Sequence, residues 1–187
     1  LRPFGDPMYY VRHVISAIDQ LKREGVSPEA FRGLIDAERT AFDANPDLYH
    51  EKGPHKGKMR GVYQDELKII EKNSELAQLY DAYERALREN KLYDYGDMIM
   101  EVLKALQADP DMLLVLQEQF QYILVDEHQD TNNAQNRILE LLCNFHKNPN
   151  IFVVGDEKQA IFRFQGASLA NFMYFKTLYP EAQYIVL

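Results

Sequence analysis

Two places in this 187-residue chain set carboxylates at the end of an apolar run. In the first, Tyr122-Ile123-Leu124-Val125 runs into Asp126 and Glu127, then into the polar loop His128-Gln129-Asp130. In the second, Ile151-Phe152-Val153-Val154 runs into Gly155 and Asp156, with Gln159 just beyond. The point where a parallel strand gives way to a loop is the usual ligand edge of an open α/β sheet. Magnesium takes oxygen ligands and is commonly held by carboxylates together with phosphate oxygens. The first pair therefore suits magnesium-dependent handling of a nucleoside triphosphate, with Glu127 placed to position or deprotonate an attacking water. Gly155 lets the backbone at Asp156 turn close to a ligand, and Gln159, one turn on, could hydrogen-bond a terminal phosphate.

Each of these features also has a plainer reading. Consecutive acids after a strand occur in ordinary solvated loops. Gln129, Thr131, Asn132 and Gln135, amides and a hydroxyl clustered where only a turn is needed, favour the ligand site. Gly155-Asp156 on its own reads as a simple turn. His128 with Asp126, Glu127 and Asp130 suggests a metal centre, but zinc sites use more histidine or cysteine than this segment offers. A contact with its own loop or a neighbouring domain fits His128 better.

Further along, Phe162-Arg163-Phe164-Gln165-Gly166 alternates aromatic and polar side chains. Phe162 reads as a core anchor. Phe164 reads equally as core or as a platform for a nucleobase, a stack worth roughly 1–3 kcal/mol. Lys52, Lys56, Lys58 and Arg60, with His50 and His55 beside them, could touch backbone phosphates or simply be solvated. Tyr93 and Tyr95 around Asp94, with Asp97 following, are expected to pin a helical part of the chain onto the sheet.

The elements that must carry these residues follow from periodicity. Val11, Val14, Ile15, Ile18 and Leu21 share one face of a helix over 7–23. Gly25 ends it, and Ser27-Pro28 starts the next as cap and first residue. Residues 45–61, with Pro46, Gly53, Pro54, Gly57 and Gly61, read as an exposed loop. A long helix follows over about 65–89, with Leu76, Leu79, Tyr80, Tyr83 and Leu87 inward. Another covers 94–106, with Met98, Ile99, Val102 and Leu103 inward. Beyond it, strand 122–125, helix 132–143, strand 151–154, helix 169–178 and strand 183–187 alternate in the manner of a parallel α/β sheet.

Composition narrows the class. A net charge of −8 argues against wholesale electrostatic nucleic-acid binding while leaving room for local basic patches. Residues 1–90 hold 14 basic and 16 acidic side chains, and residues 91–187 hold 7 and 13, so the acidity concentrates in the α/β half. The single cysteine, Cys143, excludes an internal disulfide and reads as a buried small hydrophobe. A reducing, cytoplasmic setting is the expectation. No signal peptide or membrane-length apolar run is present. Starting at Leu1 and ending on an apolar strand, the chain reads as an excised piece.

These motifs converge on a family. Ile123 to Asn132, with Gln135, resembles the Walker B region (motif II) of superfamily 1 DNA helicases of the UvrD/Rep type. Val154 to Ala167 resembles motif III of that family, and Leu92 to Ile99 looks like the short segment that precedes motif II. The resemblance implies an α/β fold: a partial P-loop NTPase-like parallel sheet with helices over 91–187 (1A-like, RecA-like), plus a mostly helical inserted subdomain over 1–90 (1B-like). It implies ATP and Mg2+ as cofactors and single-stranded and duplex DNA as partners. Asp126 would ligate the metal with Glu127 adjoining it, Glu127 would activate water, and Asp156 and Gln159 would face the nucleotide, with Gln159 coupling it to DNA. Phe164 would stack on a base beside Arg163 and Gln165, and the helical subdomain would contact duplex. Members of the family translocate 3′ to 5′ on single strands.

Gln165 stands where arginine is common in the family, which would replace a charge-assisted contact by a neutral amide. His128 stands where an aromatic is frequent. A Gly-x-x-x-x-Gly-Lys-Ser/Thr loop is not in this sequence, since Gly53-Pro54-His55-Lys56-Gly57-Lys58 has another arrangement. The P-loop and second motor domain would be partners from the same parent chain, and the piece alone should not hydrolyse ATP efficiently. The competing expectations are a non-catalytic DNA-binding or protein-interaction module, and a fragment of a helicase–nuclease, toward which Arg163 before Phe164 leans.

Overall fold

The computed structural model describes residues 8–145, 148–156 and 169–186. The chain divides into two compact units, one of residues 1–18 and 26–93, the other of residues 19–25 and 94–187. The break near residue 90 read from the sequence does not include the short segment 19–25, which joins the second unit.

The first unit is built on α2 (Pro28–Asp43) and the 29-residue α3 (Gly61–Glu89). Ser27 caps α2 by accepting a hydrogen bond from the Ala30 amide at 3.2 Å, and Pro28 opens the first turn. Such a cap satisfies one of the free amides at a helix start. Ile35 and Phe42 of α2 pack with Leu48, Ile70 and Ala77, with Phe31, Met59, Tyr63 and Leu67 around them. Tyr80 is buried too, and its hydroxyl donates to the Val26 carbonyl. Leu79, expected to face inward, is exposed.

Residues 45–60 are more ordered than the irregular loop their glycines and prolines suggest. Tyr49 and Met59 form an antiparallel bridge, the His50 amide donates to the Lys58 carbonyl, and the Gly57 and Arg60 amides donate to the His50 and Leu48 carbonyls across the excursion. Gly57 makes the return in a left-handed conformation (φ +78°), which a residue without Cβ adopts freely. Leu48 anchors the base in the core.

Helix α1 (Val11–Arg23) contributes residues to both units. Its expected apolar face is only partly buried: Ile18 is inside, whereas Val11 and Ile15 are exposed. The other inward residue on its last turns is Lys22, 2% exposed, whose ammonium donates to Asp94 at 2.7 Å and to Asp97 at 2.5 Å. Those two acids also form a reciprocal capping box at the start of α4 (Tyr95–Ala108). Tyr93 and Tyr95, expected as anchors, are both largely exposed. Sequence spacing put aromatics and acids together there, and the acids do the fastening because a buried ammonium needs paired carboxylates.

In the second unit α4 packs on α5 (Pro110–Gln119) and α6 (Asn133–Cys143). Leu103, Leu106, Ala134 and Cys143 are buried, while Met98 and Val102, expected inward, are exposed. The buried Gln117 side chain donates to the Leu141 carbonyl at 2.7 Å, fastening α5 to α6. β1 (Ile123–Val125) and β2 (Ile151–Val153) form a two-stranded parallel sheet, with Ile123 opposite Ile151 and Val125 opposite Val153. α7 (Leu169–Leu178) follows. The third strand expected at 183–187 is not formed among the described residues. Ile185 and Val186 are exposed. An apolar segment becomes a strand only where an edge offers it backbone partners. No described helix is long and apolar enough to cross a membrane.

Candidate nucleotide site at the strand ends

Asp126 and Glu127 leave β1 at its C-terminal end, both exposed. Asp126 accepts the Glu127 amide on Oδ1 at 2.9 Å, turning the chain at once. Glu127 takes a left-handed conformation (φ 50°, ψ 39°). Such a backbone costs a residue with a side chain about 1–2 kcal/mol, and it persists only where its surroundings over-determine it. Here they do. The Asp130 amide donates to the Glu127 carbonyl at 2.8 Å, opening a single 3-10 turn over His128–Asp130. The His128 amide donates to the Val154 carbonyl at 3.0 Å, and the Val154 amide to the Val125 carbonyl at 2.8 Å, so sheet pairing continues past both strands.

Gln129 is the side chain that joins the two strand ends. It is 3% exposed. Its Nε2 donates to the Glu127 carboxylate, and its Oε1 accepts the Asp156 amide at 2.9 Å. Gly155 makes room for it: a Cβ there would lie 2.9 Å from Gln129 Oε1 and 3.3 Å from its backbone nitrogen. Asp156 is thereby brought to the same edge as Asp126 and Glu127.

The polar cluster that favoured a ligand site has mostly structural duties. Asn132 and Gln135 cap α6 reciprocally, each accepting the other's amide at 3.0 Å. Thr131 Oγ1 donates to the His128 carbonyl at 2.7 Å and lies 3.2 Å from His128 Nδ1. His128 is buried, with Phe175 of α7 edge-on at 5.6 Å between ring centres. Burial pushes its pKa down, favouring the neutral ring. The contact with its own loop is therefore the role the structure gives His128.

No three potential metal-ligating side chains converge among the described residues. A magnesium ion does not require that, because it keeps several waters and binds through one or two carboxylates plus phosphate oxygens. The paired hard-oxygen donors of Asp126 and Glu127, exposed on the sheet's ligand edge, fit such an ion. Two small cavities, about 20 and 10 Å³, lie elsewhere, lined by His128, Asn136 and Phe175 in one case and Gln117 and Cys143 in the other. Each has room for about one water.

The basic residues belong to the first unit. Lys52, Lys56 and Lys58 are exposed on the excursion between α2 and α3, and Arg60 lies 3.9 Å from Asp47. Gln159, Phe162, Arg163, Phe164 and Gln165 lie outside the described residues. Lys22 and the bridging role of Gln129 escaped the sequence reading. A lysine at a position of helical period with Ile18 was the available signal for the first, while the second depends on two loops meeting in space.

A parallel strand pair thus ends in Asp126-Glu127 and Gly155-Asp156, and one buried glutamine joins the two ends. The UvrD/REP helicase N-terminal domain model matches residues 12–180, and the chain belongs to that family. Among its relatives, the ATP-dependent DNA helicase PcrA of Staphylococcus epidermidis is 42% identical over 112 residues, 60% of this chain and 15% of the relative. PcrA of Staphylococcus aureus is 41% identical and PcrA of Leuconostoc citreum 39% identical, over the same shares. The matched region thus spans about 15% of the length of these relatives.

Proposed function

We propose that this chain is part of the first motor domain of an ATP-dependent DNA helicase, one that couples MgATP hydrolysis to movement along single-stranded DNA and separation of duplex. The observation that carries the reading is Glu127. A left-handed glutamate, held by the Gln129 amide next to Asp126 at a strand end, is a strained residue placed where hydrolysis needs a base. Asp126, with Glu127 adjoining it, would hold the magnesium ion. Glu127 orients a water and takes its proton as the water attacks the terminal phosphate. Bound magnesium would supply charge neutralisation on the phosphate oxygens. Asp156 faces the nucleotide from the second strand end, and Gln159 senses the terminal phosphate and couples it to DNA.

Phe164 stacks on a base, with Arg163 and Gln165 beside it. Lys52, Lys56, Lys58 and Arg60 contact duplex phosphates, a role supported by the exposure of the three lysines on one bridged excursion. The P-loop and the second motor domain come from the remainder of the parent protein, so the 187-residue piece alone does not turn over ATP. The family model and the names of the relatives support this reading. Its test is Glu127→Gln in the full-length protein. DNA-stimulated hydrolysis should fall by at least a hundredfold while nucleotide binding persists, and an unchanged ATPase refutes it.

A further inference from the structure

The geometry points to Gln129 as the positioning residue that makes the Glu127 carboxylate depend on the backbone after β2. The inference rests on the proposed role of Glu127 and adds a coupling device to it. A glutamine amide has two ends, and here both are committed: Nε2 to the Glu127 carboxylate, Oε1 to the Asp156 amide at 2.9 Å. The group is buried, so losing either partner leaves an unsatisfied polar atom, an unfavourable state that resists partial opening. Rotation of the amide to follow one partner breaks its bond to the other.

The pocket it occupies is shaped for this. Gly155 leaves the space that Gln129 Oε1 fills, and His128 Cβ bounds the same space at 3.4 Å from an added Cβ. The backbone next to Gln129 is tied to the second strand end by the His128 amide, which donates to the Val154 carbonyl. Movement of the 155–156 turn is therefore passed to Glu127 through the side chain of Gln129. The placement of the Glu127 carboxylate thus depends on the position of the Asp156 amide.

Three variants of the full-length protein test this, with DNA-stimulated ATP hydrolysis and thermal unfolding measured on each. Gln129→Ala should lower kcat about tenfold or more with KM for MgATP within twofold. Gln129→Glu keeps an acceptor for the Asp156 amide but repels Glu127. It should recover most of the melting temperature lost by the alanine variant while kcat stays low. A structural role alone would restore both together. Gly155→Ala should lower kcat through the same group, so combining it with Gln129→Ala should add little, the non-additivity expected of coupled neighbours. Wild-type kcat in Gln129→Ala, recovery of kcat in Gln129→Glu, or full additivity overturns the inference. The underlying reading fails separately, if Glu127→Gln still hydrolyses ATP.

Discussion

The Lys22 ammonium donates to the Asp97 carboxylate across 75 positions of sequence, and the lysine side chain is almost completely buried. Asp94 takes a second hydrogen bond from the same nitrogen, and both acids cap α4 as they do so. Two neighbouring contacts fasten the turn after Lys22 to α6: Arg137 donates to the Gly25 carbonyl at 3.1 Å, and Asn133 donates to Glu24. Segment 19–25 is thus held to the start of α4 and to the first turns of α6, the helix that follows the Asp126-Glu127 loop.

Removing the lysine leaves two carboxylates near each other without their cation. Lys22→Ala should destabilise the chain by about 3–5 kcal/mol, the range for breaking a buried pair from one side. Urea unfolding followed by far-ultraviolet circular dichroism measures this. An unshifted midpoint would mean that the ion pair contributes nothing.

Gly96 lies on the first turn of α4, under the Lys22 stem. A Cβ there would come 2.8 Å from Lys22 Cδ and 3.1 Å from Lys22 Cβ. Helix propensity alone favours alanine by about 1 kcal/mol, while overpacking costs about 1–3 kcal/mol. The clash involves the base of the lysine stem as well as its flexible end, so Gly96→Ala should be net destabilising. A rise in the urea midpoint would show that the stem yields at no cost.

Cys143 ends α6 beside Tyr179 and is buried. Burial pushes its thiol pKa up, partly offset by the Tyr179 hydrogen bond. The folded state holds the proton longer than the unfolded state, so this group contributes stability below its ordinary pKa and loses it as pH rises through the folded value. Native protein should resist iodoacetamide at pH 8 and react once unfolded in urea, read as a mass shift. Equal labelling in both conditions would contradict the buried thiol.

Much of the candidate site was legible because it is local in sequence. Apolar runs ending in Asp126-Glu127 and Gly155-Asp156 announced two strand ends, and the strands lie where the runs do. The duties of the flanking amides were less legible. Asn132 and Gln135 looked like ligand-site residues but cap a helix, since short polar side chains serve both purposes equally well. Expected strand 183–187 found no edge to pair with among the described residues, and Tyr93 and Tyr95 took solvent where anchors were expected.

By itself the sequence determined the helix starts at Ser27, Asp94 and Asn132, the parallel strand ends, and the motifs that place the chain in its family. These depend on neighbours within about four residues, where capping and periodicity operate. Tertiary structure alone decided that Lys22 is buried, that Gly96 must lack a side chain, and that Gln129 joins Glu127 to Asp156. A buried charge or amide is tolerable only beside its partner, and those partners meet only when distant segments fold together.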